Sequence, residues 1–203
     1  MSSESNKGYT RRDILKISFG GAVVTASTLA APVSHALSSE PLIDRTDEHS
    51  IKYRLAQTLR KIGNKKCLDK ASQLLESRHN NDDLYFHLRS FNLDNNGAQL
   101  IANTLRALKE DQLSRLVSFS LSYNPLVGDV SIVELSKALP SSIQEIGFVG
   151  CGLGDRGALA LCEFAKRSPG LQMMCIENNA ISAGVKRKIL SETKLISRLA
   201  LYI

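Results

Sequence analysis

Apolar residues along the chain change their spacing in a regular way. Ile51, Leu55, Leu59 and Ile62 recur at helical intervals, with Gly63 as a plausible stop. Leu68, Ala71, Leu74 and Leu75 mark a second helix, ended by Arg78-His79-Asn80-Asn81. Beyond that point the alternation tightens to every second residue, as in Phe119 and Leu121 set between Ser118, Ser120 and Ser122. That spacing predicts strands with one apolar and one polar face.

The strand signal repeats. Leu116, Phe119, Leu121, Asn124 and Leu126 have the same spacing as Ile143, Ile146, Phe148, Cys151 and Leu153, and as Leu171, Met174, Ile176, Asn179 and Ile181. A weaker copy holds Phe86, Leu88 and Leu93, with Phe91 in the Asn/Cys place and Asp83 in the first apolar place. Ile196, Leu199 and Leu201 begin a fifth strand, and the edge around Leu199–Ile203 is open to pairing with another chain. The final apolar positions, 93, 126, 153 and 181, are 33, 27 and 28 residues apart. Each copy leads into a helical stretch, opened by Gly97-Ala98 in the first and Gly157-Ala158 in the third. The second lacks this pair, and the fourth has Gly184 one place early.

These residues resemble ribonuclease-inhibitor-like leucine-rich repeats, whose units of about 28 residues read LxxLxLxxNxL before a GA-containing helix. The resemblance covers roughly residues 83–203. It implies an α/β fold: a short leucine-rich-repeat solenoid with parallel strands on the concave side, helices on the convex side, and residues 51–82 as an N-terminal helical cap. Asn124 and Asn179 are expected to bond backbone groups left open where the chain turns off each strand. Small Ala102 and Cys162 let their helices lie close to the sheet.

The first 50 residues read differently. A polar start ends in Thr10-Arg11-Arg12-Asp13-Ile14-Leu15-Lys16; an apolar stretch follows over residues 17–31; Ser34-His35-Ala36 supplies small residues for cleavage after Ala36. The apolar run is short of the roughly 20 residues a bilayer-spanning helix needs. The Arg11-Arg12 pair resembles a bacterial twin-arginine export signal, with Ile14 where that pattern has Phe. It implies passage through the export machinery to the periplasm or outside, without a stable membrane span after cleavage. An ordinary secretory signal and an uncleaved anchor remain the alternatives. Residues 37–50 read as a linker.

Composition narrows the function. Hydrophobic residues make up 43% of the 203 and aromatics only 5%, so a globular core must be built mainly of aliphatic side chains. The net charge is +6, of which residues 1–36 carry +2. No basic run is interleaved with aromatics, which argues against nucleic acid. The four cysteines, 67, 151, 162 and 175, form no CxxC pair, and the histidines at 49, 79 and 87 have no metal-ligand spacing. Structural thiols are the expectation, with Cys175 the one placed towards the open face.

The expected binding surface is the outward set of strand positions: Tyr85, His87 and Arg89; Ser118, Ser120 and Ser122; Glu145, Gly147 and Val149; Met173, Cys175 and Glu177, with Tyr202 and Arg198 extending it. Tyr85 and Arg89 are of the types that dominate interface hot spots. Related repeats occur in ribonuclease inhibitors, Ran GTPase-activating proteins and innate-immune receptors. The resemblance therefore implies a non-catalytic protein-binding module without cofactor or metal, its partner unspecified. The rival reading is an exported dinucleotide- or cofactor-binding protein of oxidoreductase type. It rests on Gly152-x-Gly154-x-x-Gly157 after an apolar strand, with Glu177 20 residues beyond Gly157. Against it stand the repetition of the same unit without these glycines and the polar strand face, which a doubly wound sheet would bury.

Overall fold

The computed structural model describes residues 50–76 and 83–203; the leader, nearly all of the expected linker and the end of the expected cap lie outside them. Helices α1 (Ile51–Ile62) and α2 (Lys65–Glu76) come first. Ser50 caps α1, its hydroxyl accepting from the Tyr53 N–H at 3.1 Å. Gly63 ends that helix in the left-handed conformation, φ 79°, as its position after the last apolar residue predicts.

Five strands follow: β1 (Leu84–His87), β2 (Leu116–Ser120), β3 (Glu145–Gly147), β4 (Met173–Cys175) and β5 (Ala200–Tyr202). They form one parallel sheet whose spatial order is the chain order. Between them lie α3 (Asn95–Arg106), the short α4 (Glu110–Leu113), α5 (Gly128–Ala138), α6 (Asp155–Arg167) and α7 (Ala183–Thr193). Helices α3, α5, α6 and α7 pack each against the next, and α1 packs against α3. The fold is therefore α/β with a parallel sheet, as expected.

One face of the sheet carries the core. Phe86 on β1 and Phe119 on β2 stack with ring centroids 6.0 Å apart, and Ile146 and Met174 continue that row on β3 and β4, while Phe148, just past β3, meets Phe119 at a tilt with centroids again 6.0 Å apart. The helices contribute Ala98, Ile101, Ala102 and Leu105 from α3, Ile132 and Leu135 from α5, and Leu161, Cys162 and Ala165 from α6, all buried. Ala102 and Cys162 are fully buried where small side chains were expected.

The turns off the strands are held by side chains. Asn124 donates to the carbonyls of Leu88 (2.8 Å) and Leu121 (2.6 Å) and accepts from the Leu93 N–H (3.0 Å). Asn179 donates to Phe148, Ile176 and Glu177 and accepts from the Cys151 and Leu153 N–H groups. Between them, the Cys151 thiol donates to the Leu121 carbonyl at 3.2 Å. The residue before each of these places is left-handed: Tyr123 (φ 62°), Gly150 (φ 59°) and Asn178 (φ 54°), with Ser90 (φ 57°) ahead of Phe91. The same left-handed residue thus recurs after each of β1, β2, β3 and β4.

One expected core position is corrected. Leu126 is 72% exposed, and Val127 beside it is buried. Pro125 and a Val127 N–H to Asn124 carbonyl bond (3.1 Å) give this turn one more residue, which brings Val127 inward just before α5. The first unit lacks an Asn at position 91, and Asn64 from the α1–α2 junction bonds the Phe91 carbonyl at 2.9 Å instead.

Candidate functional site

The face of the sheet away from the core bears the expected positions in rows. Tyr85, Ser118, Glu145, Met173 and Ala200 pair across the five strands, as do His87, Ser120, Gly147, Cys175 and Tyr202. A third row continues beyond the strand ends. The N–H groups of Ser90, Tyr123 and Gly150 bond the carbonyls of Ser122, Val149 and Glu177, which aligns Arg89, Ser122, Val149 and Glu177. Tyr202 joins the second row as anticipated. Arg198 does not: it precedes β5 and donates to the Ser168 carbonyl.

The serines depart from expectation. Ser118 and Ser122 are 3% and 5% exposed, so they form the floor of the face and not its surface. Longer neighbours account for Ser118. Its hydroxyl donates to Glu145 Oε2 at 2.9 Å and lies 2.7 Å from His87 Nε2. With the hydroxyl proton committed to a carboxylate, His87 must be the donor in that second bond. Burial lowers the His87 pKa, Glu145 acting in the opposite sense and Lys70 with it. A serine, a histidine and a glutamate in contact invite comparison with a nucleophile and its base. Here the histidine donates to the hydroxyl and the oxygen is shielded, so the arrangement holds side chains in place and does not activate Ser118.

Ser122 is covered for another reason. Its hydroxyl accepts from the Val149 N–H (3.2 Å) and from the Ser120 hydroxyl (3.1 Å). Opposite stands Gly147, where a Cβ would fall 2.8 Å from Ser120 Oγ and 3.2 Å from Ser122 Oγ. The glycine leaves room for the serine pair to close over.

At one end of the third row a feature missed in the sequence stands out. The Arg89 guanidinium lies 3.9 Å from the centroid of the Tyr123 ring, a cation–π contact. Tyr123 is 40% exposed and left-handed, and its ring passes over Gly150. A non-glycine residue in that conformation costs about 1–2 kcal/mol. Only its place before Asn124, matching Gly150 before Cys151, could have signalled the backbone. Tyr85 is 55% exposed and meets His87 edge-on at 6.5 Å.

The thiols are poor nucleophiles. Burial pushes Cys151 and Cys162 up to about 11, Glu192 adding to the effect on Cys162. Burial also raises Cys67, and burial together with Glu177 and Glu145 raises Cys175 on the open face. All four favour the protonated form at neutral pH.

The glycine-rich turn has a structural use. Gly152 is left-handed (φ 66°), and a Cβ there would lie 2.4 Å from the Pro125 carbonyl oxygen. Asp129 Oδ1 accepts from the N–H groups of Gly154 (2.7 Å) and Gly157 (3.1 Å). The first turn of α6, where a pyrophosphate would bind, is thus already capped by a carboxylate from the preceding unit. Asp155 repeats the device one unit on, accepting from the Ser182 N–H at 2.7 Å. Gly157 is also close-packed, its hypothetical Cβ 2.4 Å from Leu153 Cδ1.

No protein-family model matches the chain, and no curated protein matches it. Among the described residues, no helix is long and apolar enough to cross a membrane.

Proposed function

We propose that the chain is a ribonuclease-inhibitor-like leucine-rich-repeat protein that binds a protein partner on the open face of its sheet and performs no catalysis. The observation that carries this reading is the one-sidedness of the sheet. Its helices and core occupy one face, while Tyr85, Arg89 and Glu177 stand exposed on the other in continuous rows. Supporting it further are the turns held by Asn124, Cys151 and Asn179, which match the Asn/Cys place of that repeat. Export through a twin-arginine-type leader is proposed on Arg11, Arg12 and Ala36 alone, which lie outside the described residues. The periplasm or the exterior is then where the partner is met. No observation favours the dinucleotide reading, because Asp129 fills the place it requires.

The test is affinity capture from envelope and cytoplasmic extracts, with the Tyr85→Ala, Arg89→Ala double variant as control. A protein held by the wild type and lost by the double variant is the expected result. Equal retention by both sinks this placement of the face. Substituting Arg11 and Arg12 by Lys in a reporter fusion tests the leader separately; export unchanged by the substitution removes the twin-arginine reading.

A further inference from the structure

The row Arg89–Ser122–Val149–Glu177 has opposite charges at its two ends and an uncharged floor between them. Arg89 is held by its stack on Tyr123, and its guanidinium donates to no hydrogen-bond acceptor among the described residues. Neither Arg89 nor Glu177 forms an ion pair among the described residues. The surroundings strengthen the polarity. Lys66 is anchored to the Ser90 carbonyl beside Arg89, and Lys70 lies near enough to His87 to bias its titration. Glu145, on the other side, already holds Ser118, which leaves Glu177 as the uncommitted acid.

We propose that this row recognises an extended peptide segment of a partner protein that carries one acidic and one basic side chain. The acidic group pairs with Arg89 and the basic group with Glu177. This rests on the open-face reading above and adds the chemistry of the ligand. Stacking on an aromatic ring fixes a guanidinium in advance, so less rotamer freedom is lost when a carboxylate arrives. The floor carries no charge: the Ser122 hydroxyl oxygen already accepts from the Val149 N–H and the Ser120 hydroxyl, and Val149 offers a half-buried apolar surface. Three strand spacings separate the Cα atoms of Arg89 and Glu177, about 14 Å at about 4.8 Å each. Tyr123, over whose ring the guanidinium lies, follows β2 and so stands one strand nearer to Glu177 than Arg89 itself does. An extended segment rising about 3.3 Å per residue spans the gap within about four residues.

The experiment selects short random peptides displayed on phage against the full chain, its Arg89→Glu variant and its Glu177→Lys variant. Both positions are exposed, and a circular-dichroism melt checks that each variant stays folded. The wild type is expected to enrich peptides with one acid and one base within about four positions. Arg89→Glu should enrich peptides with two bases, and Glu177→Lys peptides with two acids. A synthetic copy of the wild-type peptide should lose about tenfold in affinity on either variant. The same peptides emerging from all three proteins overturn the proposal. A Val149→Trp variant then separates the two readings. Peptides that ignore the charges but are lost on Val149→Trp leave open-face binding standing and remove the charge rule. Peptides that ignore all three substitutions remove both, whereas a wild type that enriches none removes the peptide rule and leaves the open face to the capture experiment.

Discussion

The two ends of the sheet are built from the same kinds of residue and end differently. At the β1 end, α1 and α2 bury Ile51, Leu55, Leu59, Cys67, Ala71 and Leu74, and Asn64 and Lys66 bond the carbonyls just past the strand. At the β5 end, α7 buries only Ile189 and Thr193; Leu190 is 49% and Leu195 91% exposed, and Leu199, Leu201 and Ile203 are half-covered. A strand and its helix supply apolar surface, but they become core only when something lies on both sides of them. Stability should therefore fall from the first end to the second.

Leucine truncation tests that gradient most severely. Leu59→Ala, at a fully buried position, should cost about 2–5 kcal/mol in urea denaturation. Leu195→Ala should stay within about 0.5 kcal/mol. Similar losses at both would break the comparison. The turn asparagines come next. Asn124→Ala takes the side-chain partner from the Leu93 N–H and the Leu88 carbonyl in a fully buried place and leaves the Leu121 carbonyl only the Cys151 thiol, for about 3 kcal/mol. Asn179→Ala should cost about half as much, because its site is half-buried and water can replace the side chain.

A smaller effect follows from titration at the second end. Glu192 on α7 is bonded to Lys166 on α6 at 2.5 Å, and this holds its carboxyl below the ordinary value of 4.5. A carboxylate depressed in the folded state stabilises it above the unfolded value and loses that contribution as pH falls through the folded value. Amide protection in α6 and α7 should thus decline on acidification below about 4.5, and Glu192→Gln should flatten the decline. A decline of the same size in that variant would assign the acid response elsewhere. The smallest effect is expected at Ser168, whose hydroxyl is buried without a hydrogen-bond partner among the described residues. Ser168→Ala should leave the melting temperature unchanged or raise it, by at most about 1 kcal/mol of stability.

The periodic positions were legible because their side chains answer to one constraint each. Gly63 stops a helix, Phe86, Phe119, Ile146 and Met174 fill one layer, and Asn124 and Asn179 close turns. The rows of the open face follow from strand parity in the same way. What spacing did not reveal depends on pairs of units. Ser118 is hidden because His87 and Glu145 close over it from neighbouring strands. Gly152, Gly154 and Gly157 look like a phosphate-binding signature until Asp129 and Pro125 of the preceding unit are placed against them. Leu126 yields to Val127 because of a turn, which a count of apolar intervals does not see. Tyr123 had no local signal at all beyond its place before an asparagine.

A sheet whose spatial order is its chain order has a consequence for how the molecule is assembled in time. Each strand docks on the one made about 30 residues before it, so no pairing waits for a distant segment and every step closes a loop of similar length. On the repeat reading proposed above, growth would start wherever two neighbouring units meet first and then advance like a zipper. The β1 end, where α1 and α2 bury their apolar faces, comes before the β5 end in the chain. Units emerging later find a finished template waiting, so the chain can acquire its structure while it is still being made.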